Sequence, residues 1–129
     1  MPNMLHMQVL RSPHPHARIV RIDTDLARSL PGVECVLTCD DVPGVDNFGV
    51  FIEDQPTLAR DVVRYVGEAV VAVAAETLDI ARAALALIHV EYEELPSLFD
   101  PHEAMKDGAV QLHSFAPVSY THLTLPTKA

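Results

Sequence analysis

The run Glu68-Ala69-Val70-Val71-Ala72-Val73-Ala74-Ala75, then Glu76-Thr77, then Leu78-Asp79-Ile80-Ala81-Arg82-Ala83-Ala84-Leu85-Ala86-Leu87-Ile88, decides the fold. The first segment is apolar almost without a break. A strand that is apolar on both alternating faces has to be buried on both, so 68–75 reads as a central strand. Thr77 is a good N-cap and Asp79 in the first turn favours the positive end of the helix dipole. The following helix, Leu78–Ile88, carries only Asp79 and Arg82 as charges and is expected to lie packed on a sheet. His89–Leu95 reads as the next strand, with Val90, Tyr92 and Leu95 as its apolar members. Strand, helix and strand in direct succession set the type of architecture.

Working outward towards the N-terminus, Asp61–Val66 forms a strand separated from 68–75 by Gly67. Leu5–Ser12 alternates, with Leu5, Met7 and Val9 against His6, Gln8 and Leu10, and reads as a strand. Ser12-Pro13-His14-Pro15-His16 interrupts it, because each proline fixes φ and removes a backbone donor. Ala17–Asp23 resumes the alternation. Thr24 or Asp25 caps a short helix running to Leu30, which Pro31-Gly32 stops. Val33–Cys39 is β-branched and apolar, a third strand, and Asp40-Asp41-Val42-Pro43-Gly44 is turn chemistry. A looser segment from Val45 to Arg60 holds one short strand around Phe48–Ile52. Towards the C-terminus, Asp100-Pro101-His102-Glu103 places a cap, an N1 proline and an N3 glutamate in order, predicting a short helix to about Lys106. Strands mixed with two or three helices make an α/β or α+β sandwich.

The 129 residues amount to one domain, and 49% hydrophobic with 21% charged residues is globular composition. A formal net charge of -9, from 18 acids against 9 Lys+Arg, argues against a surface for nucleic-acid phosphates or for an anionic membrane leaflet. No apolar run approaches the ~20 residues that span a bilayer. The start, Met1-Pro2-Asn3-Met4-Leu5-His6, lacks the basic and apolar regions of a signal peptide. Cys35 and Cys39 on an extended segment would sit roughly 13 Å apart, too far for a disulfide. Two free, buried thiols fit a cytoplasmic location.

Several side-chain groupings invite chemistry. His14 and His16 share a face if the segment is extended and could chelate one ion. A third ligand would have to come from His6, His89, His102 or His113, at no diagnostic spacing. The expectation is therefore a rigid turn with hydrogen-bonded histidines. Glu91 and Glu93 also share a face, and paired carboxylates perform acid–base work when their surroundings separate their proton affinities. A solvated strand face is the expected reading. Glu68, at the mouth of the apolar strand, is expected to accept backbone donors. Asp54 and Gln55 before Pro56 mark a polar loop. Ser12, Ser29, Ser97 and Ser114 lack the Gly-x-Ser-x-Gly elbow of a nucleophile. No glycine-rich phosphate loop or internal repeat is present.

The linear pattern as a whole is recognisable. Leu10-Arg11-Ser12-Pro13-His14-Pro15-His16-Ala17-Arg18-Ile19 resembles the R-S-P-H-A-H-A signature of the xanthine dehydrogenase/aldehyde oxidase family. Pro31-Gly32-Val33, Val36-Leu37-Thr38 and Asp41-Val42-Pro43-Gly44 continue it in order. Val63-Arg64-Tyr65-Val66-Gly67-Glu68, Val90-Glu91-Tyr92-Glu93-Glu94-Leu95-Pro96 and Phe99-Asp100-Pro101 with Glu103-Ala104 complete it. The resemblance runs from Met4 to about His113 and implies an α+β fold. That fold is the α/β hammerhead that opens a molybdenum-binding large subunit, with mixed sheets and two or three helices packed on them.

It further implies an oxidoreductase that hydroxylates a heterocycle or an aldehyde-like carbon with water-derived oxygen. Such an enzyme carries a molybdopterin-type molybdenum cofactor and passes electrons to iron–sulfur clusters and FAD on partner subunits or domains. The blocks Asn47-Phe48-Gly49 and Asp54-Gln55-Pro56-Thr57-Leu58 look more like bacterial xanthine or nicotinate dehydrogenases than carbon monoxide dehydrogenases. In this family the pterin-contacting segments and the catalytic glutamate lie downstream of the hammerhead, and no residue here matches them. Glu68 is not that glutamate. No catalytic, cofactor-binding or metal-binding residue is carried over.

Two departures bear on the boundaries. Ala69 stands where proline is common after Gly-Glu, and the family's preceding strand and glycine-rich lead-in are missing before Leu5-His6. From Val118 the sequence Val118-Ser119-Tyr120-Thr121-His122-Leu123-Thr124-Leu125-Pro126-Thr127 loses charge and periodicity and resembles a translated sequencing-library adapter; the plainer reading is a β-prone tail. The expected organisation is a hammerhead domain over 1–117, truncated at both ends, and a non-native tail over 118–129. Its expected role is as a scaffold that packs against the remaining molybdenum-binding domains, inactive alone. An alternative from another class is a free-standing hammerhead module that binds or assembles without catalysis.

Overall fold

The computed structural model describes residues 3–49 and 53–111, which fall into two compact units, Met1–Ser97 and Leu98–Ala129. The first unit opens with β1 (His6–Arg11), β2 (Ala17–Asp23), the single turn α1 (Asp25–Arg28) and β3 (Val33–Leu37). A 3-10 turn (Cys39–Asp41) and the short strands β4 (Asn47–Phe48), β5 (Gln55–Pro56) and β6 (Val62–Val63) lead to β7 (Ala69–Ala75). Helix α2 (Leu78–Leu87) and β8 (His89–Glu94) complete it, while the second unit holds α3 (Pro101–Ala104). The described strands form antiparallel sheets ordered β1-β7-β3, β6-β2-β8 and β4-β5. Small sheets with helices packed on them make the α+β class expected from the sequence.

β7 is the central strand its composition demands. One face of its sheet meets α2, which also packs on β1, and part of the other meets Cys39 and Leu58. At its start the register slips, with Leu10 opposite Val71 but Arg11 opposite Ala69. The bulge lets the adjacent Val70 and Val71 both enter the core, where both are fully buried. The largest fully buried side chains are all valines, Val36, Val63, Val70, Val71 and Val73. The inner residues of the second sheet, Ala17, Ile19, Ile22, Val63, Val90 and Tyr92, join the same cluster.

α2 begins as expected, with Thr77 Oγ1 accepting the Ile80 amide at 3.2 Å. Its near-uniform apolarity does not mean burial all round. Only Ala81 and Ala84 are fully buried, while Ala83, Ala86 and Leu87 face solvent. Small alanines make a helix face look apolar whether or not it is covered.

Other expected elements shorten for identifiable reasons. The strand 61–66 contracts to Val62–Val63 because the Arg64 amide bonds the Glu68 side chain instead of a neighbouring strand. Tyr65 and Val66 are then left exposed. The strand 33–39 ends at Leu37, where the Asp41 carboxylate accepts both the amide and the hydroxyl of Thr38, at 2.8 and 3.0 Å, and tightens the chain into the 3-10 turn. α1 is one turn long, and its first donor is held by the Asp23 side chain (Asp25 N to Oδ1, 3.2 Å) instead of by Thr24 or Asp25. α3 stops at Ala104; Asp100 caps it through the His102 amide at 2.8 Å, but Glu103 pairs with Lys106 at 2.6 Å. Of the strand expected around 48–52, Asn47–Phe48 pairs with Gln55–Pro56 and residues 50–52 lie outside the described residues. The tail over 118–129 lies outside them too.

Candidate functional site

The proline-rich turn between β1 and β2 is where the first sheet hands over to the second. Prolines at 13 and 15 withhold two amides, so the turn must be tied by side chains and by its own carbonyls. Ser12 is buried. Its hydroxyl donates to the His14 carbonyl at 3.1 Å and accepts the His14 amide at 3.0 Å. Its backbone bonds Gly67 and Glu68, with Gly67 N to Ser12 O at 2.8 Å and Ser12 N to Glu68 O at 2.9 Å. The Arg11 guanidinium donates to the Gly67 carbonyl at 2.8 Å. The Arg-Ser-Pro-His block and the Val-Gly-Glu block are therefore two halves of one junction.

His14 and His16 do not converge on a common point. His14 Nδ1 lies 3.3 Å from a Glu94 carboxylate oxygen, and its ring stacks at a tilt on Tyr92 with centroids 4.9 Å apart. His16 Nδ1 lies 2.7 Å from the Pro96 carbonyl. Both histidines tie the turn to the far end of β8. Among the described residues, no group of three His, Cys, Asp or Glu side chains is placed to hold a metal ion. His113, Ser114 and His122 lie outside those residues.

The carboxylates are likewise separated. Glu93 pairs with Arg18 at 3.2 Å and Glu91 is exposed opposite Arg21. Glu68 is buried, 3% exposed, and its side chain accepts the Arg64 amide. This is the backbone-accepting role expected of it. Ser29 and Ser97 donate to nearby carbonyls, Leu26 O at 2.9 Å and Leu95 O at 3.3 Å. Cys35 and Cys39 are both free, but Cys35 is exposed, contrary to the expectation of two buried thiols. The open side of its sheet has nothing from the described residues over that end.

A groove of about 450 Å³ runs between β2 and the 3-10 turn, with Arg21, Arg28 and Arg60 on its walls. Sequence reading did not single out Arg60. It donates to Asp40 at 2.7 Å, to Asp46 at 3.1 and 3.3 Å and to the Cys39 carbonyl at 3.2 Å. These partners lie 14 to 21 residues away in sequence, so no linear spacing could have revealed the node. Arg28 pairs with Asp41 at 3.7 Å and Arg21 with Asp23 at 3.1 Å. The arginines are thus neutralised from within. Burial pushes the Cys39 thiol up from its ordinary value, against the opposing pull of Arg60. Thr38 holds the Asp41 carboxyl below its ordinary range through its amide and hydroxyl.

The comparisons with known proteins match this geometry. Residues 1–96 match the family model described as the aldehyde oxidase and xanthine dehydrogenase a/b hammerhead domain. A probable xanthine dehydrogenase subunit of Bacillus subtilis is 53% identical over 112 residues, 87% of this chain and 15% of the relative. The nicotinate dehydrogenase large molybdopterin subunit of Eubacterium barkeri is 44% identical, over 87% of this chain and 26% of the relative. The aldehyde oxidoreductase structure from Desulfovibrio gigas superposes with a TM-score of 0.85 at 30% identity, covering 94% of this chain and 14% of that one. The chain therefore spans only a small part of the relatives it matches. It belongs to the aldehyde oxidase and xanthine dehydrogenase family, as that family's hammerhead domain.

Proposed function

We propose that this domain is a scaffold of the large subunit of a molybdopterin-dependent oxidoreductase that hydroxylates a heterocycle or aldehyde carbon. The family match over residues 1–96 carries this reading. The relatives' names supply the activity, and their molybdopterin and molybdenum are named in two of them. The subfamily proposed is that of bacterial xanthine and nicotinate dehydrogenases. Identity is 53% and 44% to those relatives against 38% for the carbon monoxide dehydrogenase large chain of Hydrogenophaga pseudoflava. The xanthine dehydrogenases of Mus musculus and Arabidopsis thaliana, at 36% and 38% identity, are no nearer than the carbon monoxide enzyme.

Among the described residues, the arginines that line the groove do not offer a fit for the molybdenum cofactor. A pterin phosphate needs unengaged donors, whereas Arg21, Arg28 and Arg60 each hold a carboxylate. The buried carboxylate Glu68 is engaged by a backbone amide. No step of the reaction is routed through them, and no catalytic, cofactor or metal ligand is assigned here. The partners of the domain are the remaining molybdenum-binding domains, with iron–sulfur and flavin units beyond them, in the cytoplasm. No helix among the described residues is long and apolar enough to cross a membrane. The domain extends through residue 117, and 118–129 is a non-native tail.

Sequencing the source DNA across both ends of this frame tests the reading, followed by assay of the complete large subunit, with its partners, on N-heterocycles and aldehydes. Expected are a downstream glycine-rich pterin segment and hydroxylation of at least one such substrate. A stop codon directly after Ala129 in the source DNA would overturn it.

A further inference from the structure

We infer that the face of the β1-β7-β3 sheet turned away from α2 is a docking surface for an uncharged, apolar element of the same large-subunit polypeptide, an inference that rests on the scaffold reading above. The registers place Met7, Ala74 and Cys35 in one row across that face, and Val9, Ala72 and Leu37 in the next. None of the six is charged. The chain covers only one end itself, where Cys39, Leu58 and Val42 close over Ala69, Ala72 and Val9. At the other end Met7 is 62% exposed and Cys35 is open to solvent, and at the β3 edge of the covered row Leu37 remains 39% exposed.

The second sheet shows what a solvent face looks like in this same domain. Its outer rows carry Arg18, Arg21, Glu91 and Glu93, with Arg18 and Glu93 ion-paired. Free cysteine is among the most consistently buried residue types, and methionine adapts its shape to an apolar partner. A contiguous Met–Ala–Cys row beside a leucine is interface composition. The matched region makes up 15% of the Bacillus subtilis relative and 14% of the Desulfovibrio gigas chain. Most of each of those polypeptides therefore lies outside this domain, tethered to it, and is the nearest source of a covering element.

Thiol alkylation of the 129-residue chain and of the native, complete large subunit tests the surface. Tandem mass spectrometry reads Cys35, with the buried Cys39 as internal reference. Cys35 is expected to react about tenfold or more slowly in the subunit, and equally fast in both after denaturation. Equal native rates in a molybdenum-replete, active subunit would overturn the surface while leaving the scaffold reading intact. A protected Cys35 in a subunit that holds no molybdenum would support the surface and remove the function. If Cys35 is already protected in the 129-residue chain by a concentration-dependent dimer, the occupant is a second copy and the proposal fails. Met7→Glu provides a second reading. It is expected to lower the melting temperature of the subunit while leaving that of the chain unchanged, and no change in the subunit would count against the surface.

Discussion

Gly32 lies at φ +85° in the turn from α1 into β3, and a Cβ there would stand 2.7 Å from the Ile80 Cδ1 atom of α2. The backbone conformation requires glycine, whereas Ile80 Cδ1, the end of a flexible and partly exposed side chain, could give way to a Cβ. Gly32→Ala is expected to cost about 1–3 kcal/mol of stability, measured by urea unfolding, because alanine is strained at this positive φ. Glu68 gives a sharper separation of structure from chemistry. Removing the buried acceptor of an amide in Glu68→Ala should cost about 1–3 kcal/mol, whereas Glu68→Gln keeps an acceptor and most of the stability. If Glu68→Gln in the complete subunit left the melting temperature unchanged but abolished turnover, the structural assignment of this residue would be wrong. These single-residue features were largely legible in the sequence. The Pro31-Gly32 stop, the Thr77 cap and the position of Glu68 at the strand mouth are all local signals. The exposure of Cys35 was not legible, because it depends on whether anything lies over a sheet face, which spacing along one strand does not encode.

Elements were legible where the pattern is long and lost where side chains compete for backbone bonds. β7 and α2 follow from an unbroken apolar run and a cap. β6 and the end of β3 were over-extended, because neither the Glu68–Arg64 bond nor the Thr38–Asp41 capping box shows in hydrophobic periodicity. β8 carries a titratable consequence. Burial pushes the Tyr92 hydroxyl above its ordinary 10.0, with a hydrogen bond to Ser12 acting against it. The folded state thus holds this proton more tightly than the unfolded chain. Stability from this group is intact below about pH 10 and falls as pH rises from there through the folded-state value. Cys39, raised from 9.0, adds a loss of the same sign beginning nearer that pH. Unfolding midpoints measured from neutral to alkaline pH should decline, and Tyr92→Phe should flatten the upper part of the decline. An unchanged slope in Tyr92→Phe would show that Tyr92 titrates as an exposed phenol.

At the scale of the whole molecule, the ordered blocks from Arg11-Ser12-Pro13-His14 to Glu93-Glu94-Leu95-Pro96 made the family readable because they include the turns and strand ends where paired strands are tied together. Ser12, Gly67 and Glu68 meet at one junction, and His16 and Leu95 at another. The Arg60 node was invisible for the converse reason: its partners are single acidic residues in loops, held together only by the fold. Of the side chains that invited chemistry, His14 and His16 tie the turn to the end of β8 and Glu93 pairs with Arg18. What the first unit supplies is a scaffold whose β1-β7-β3 sheet has one apolar face only partly covered by the described residues. The most direct test of its role as a scaffold is molybdenum and pterin analysis of the purified 129-residue chain beside the complete large subunit. Stoichiometric molybdenum and pterin are expected in the subunit and neither in the chain. Stoichiometric cofactor on the 129-residue chain, or a folded subunit that never acquires it, would show that the domain is not a scaffold of this kind.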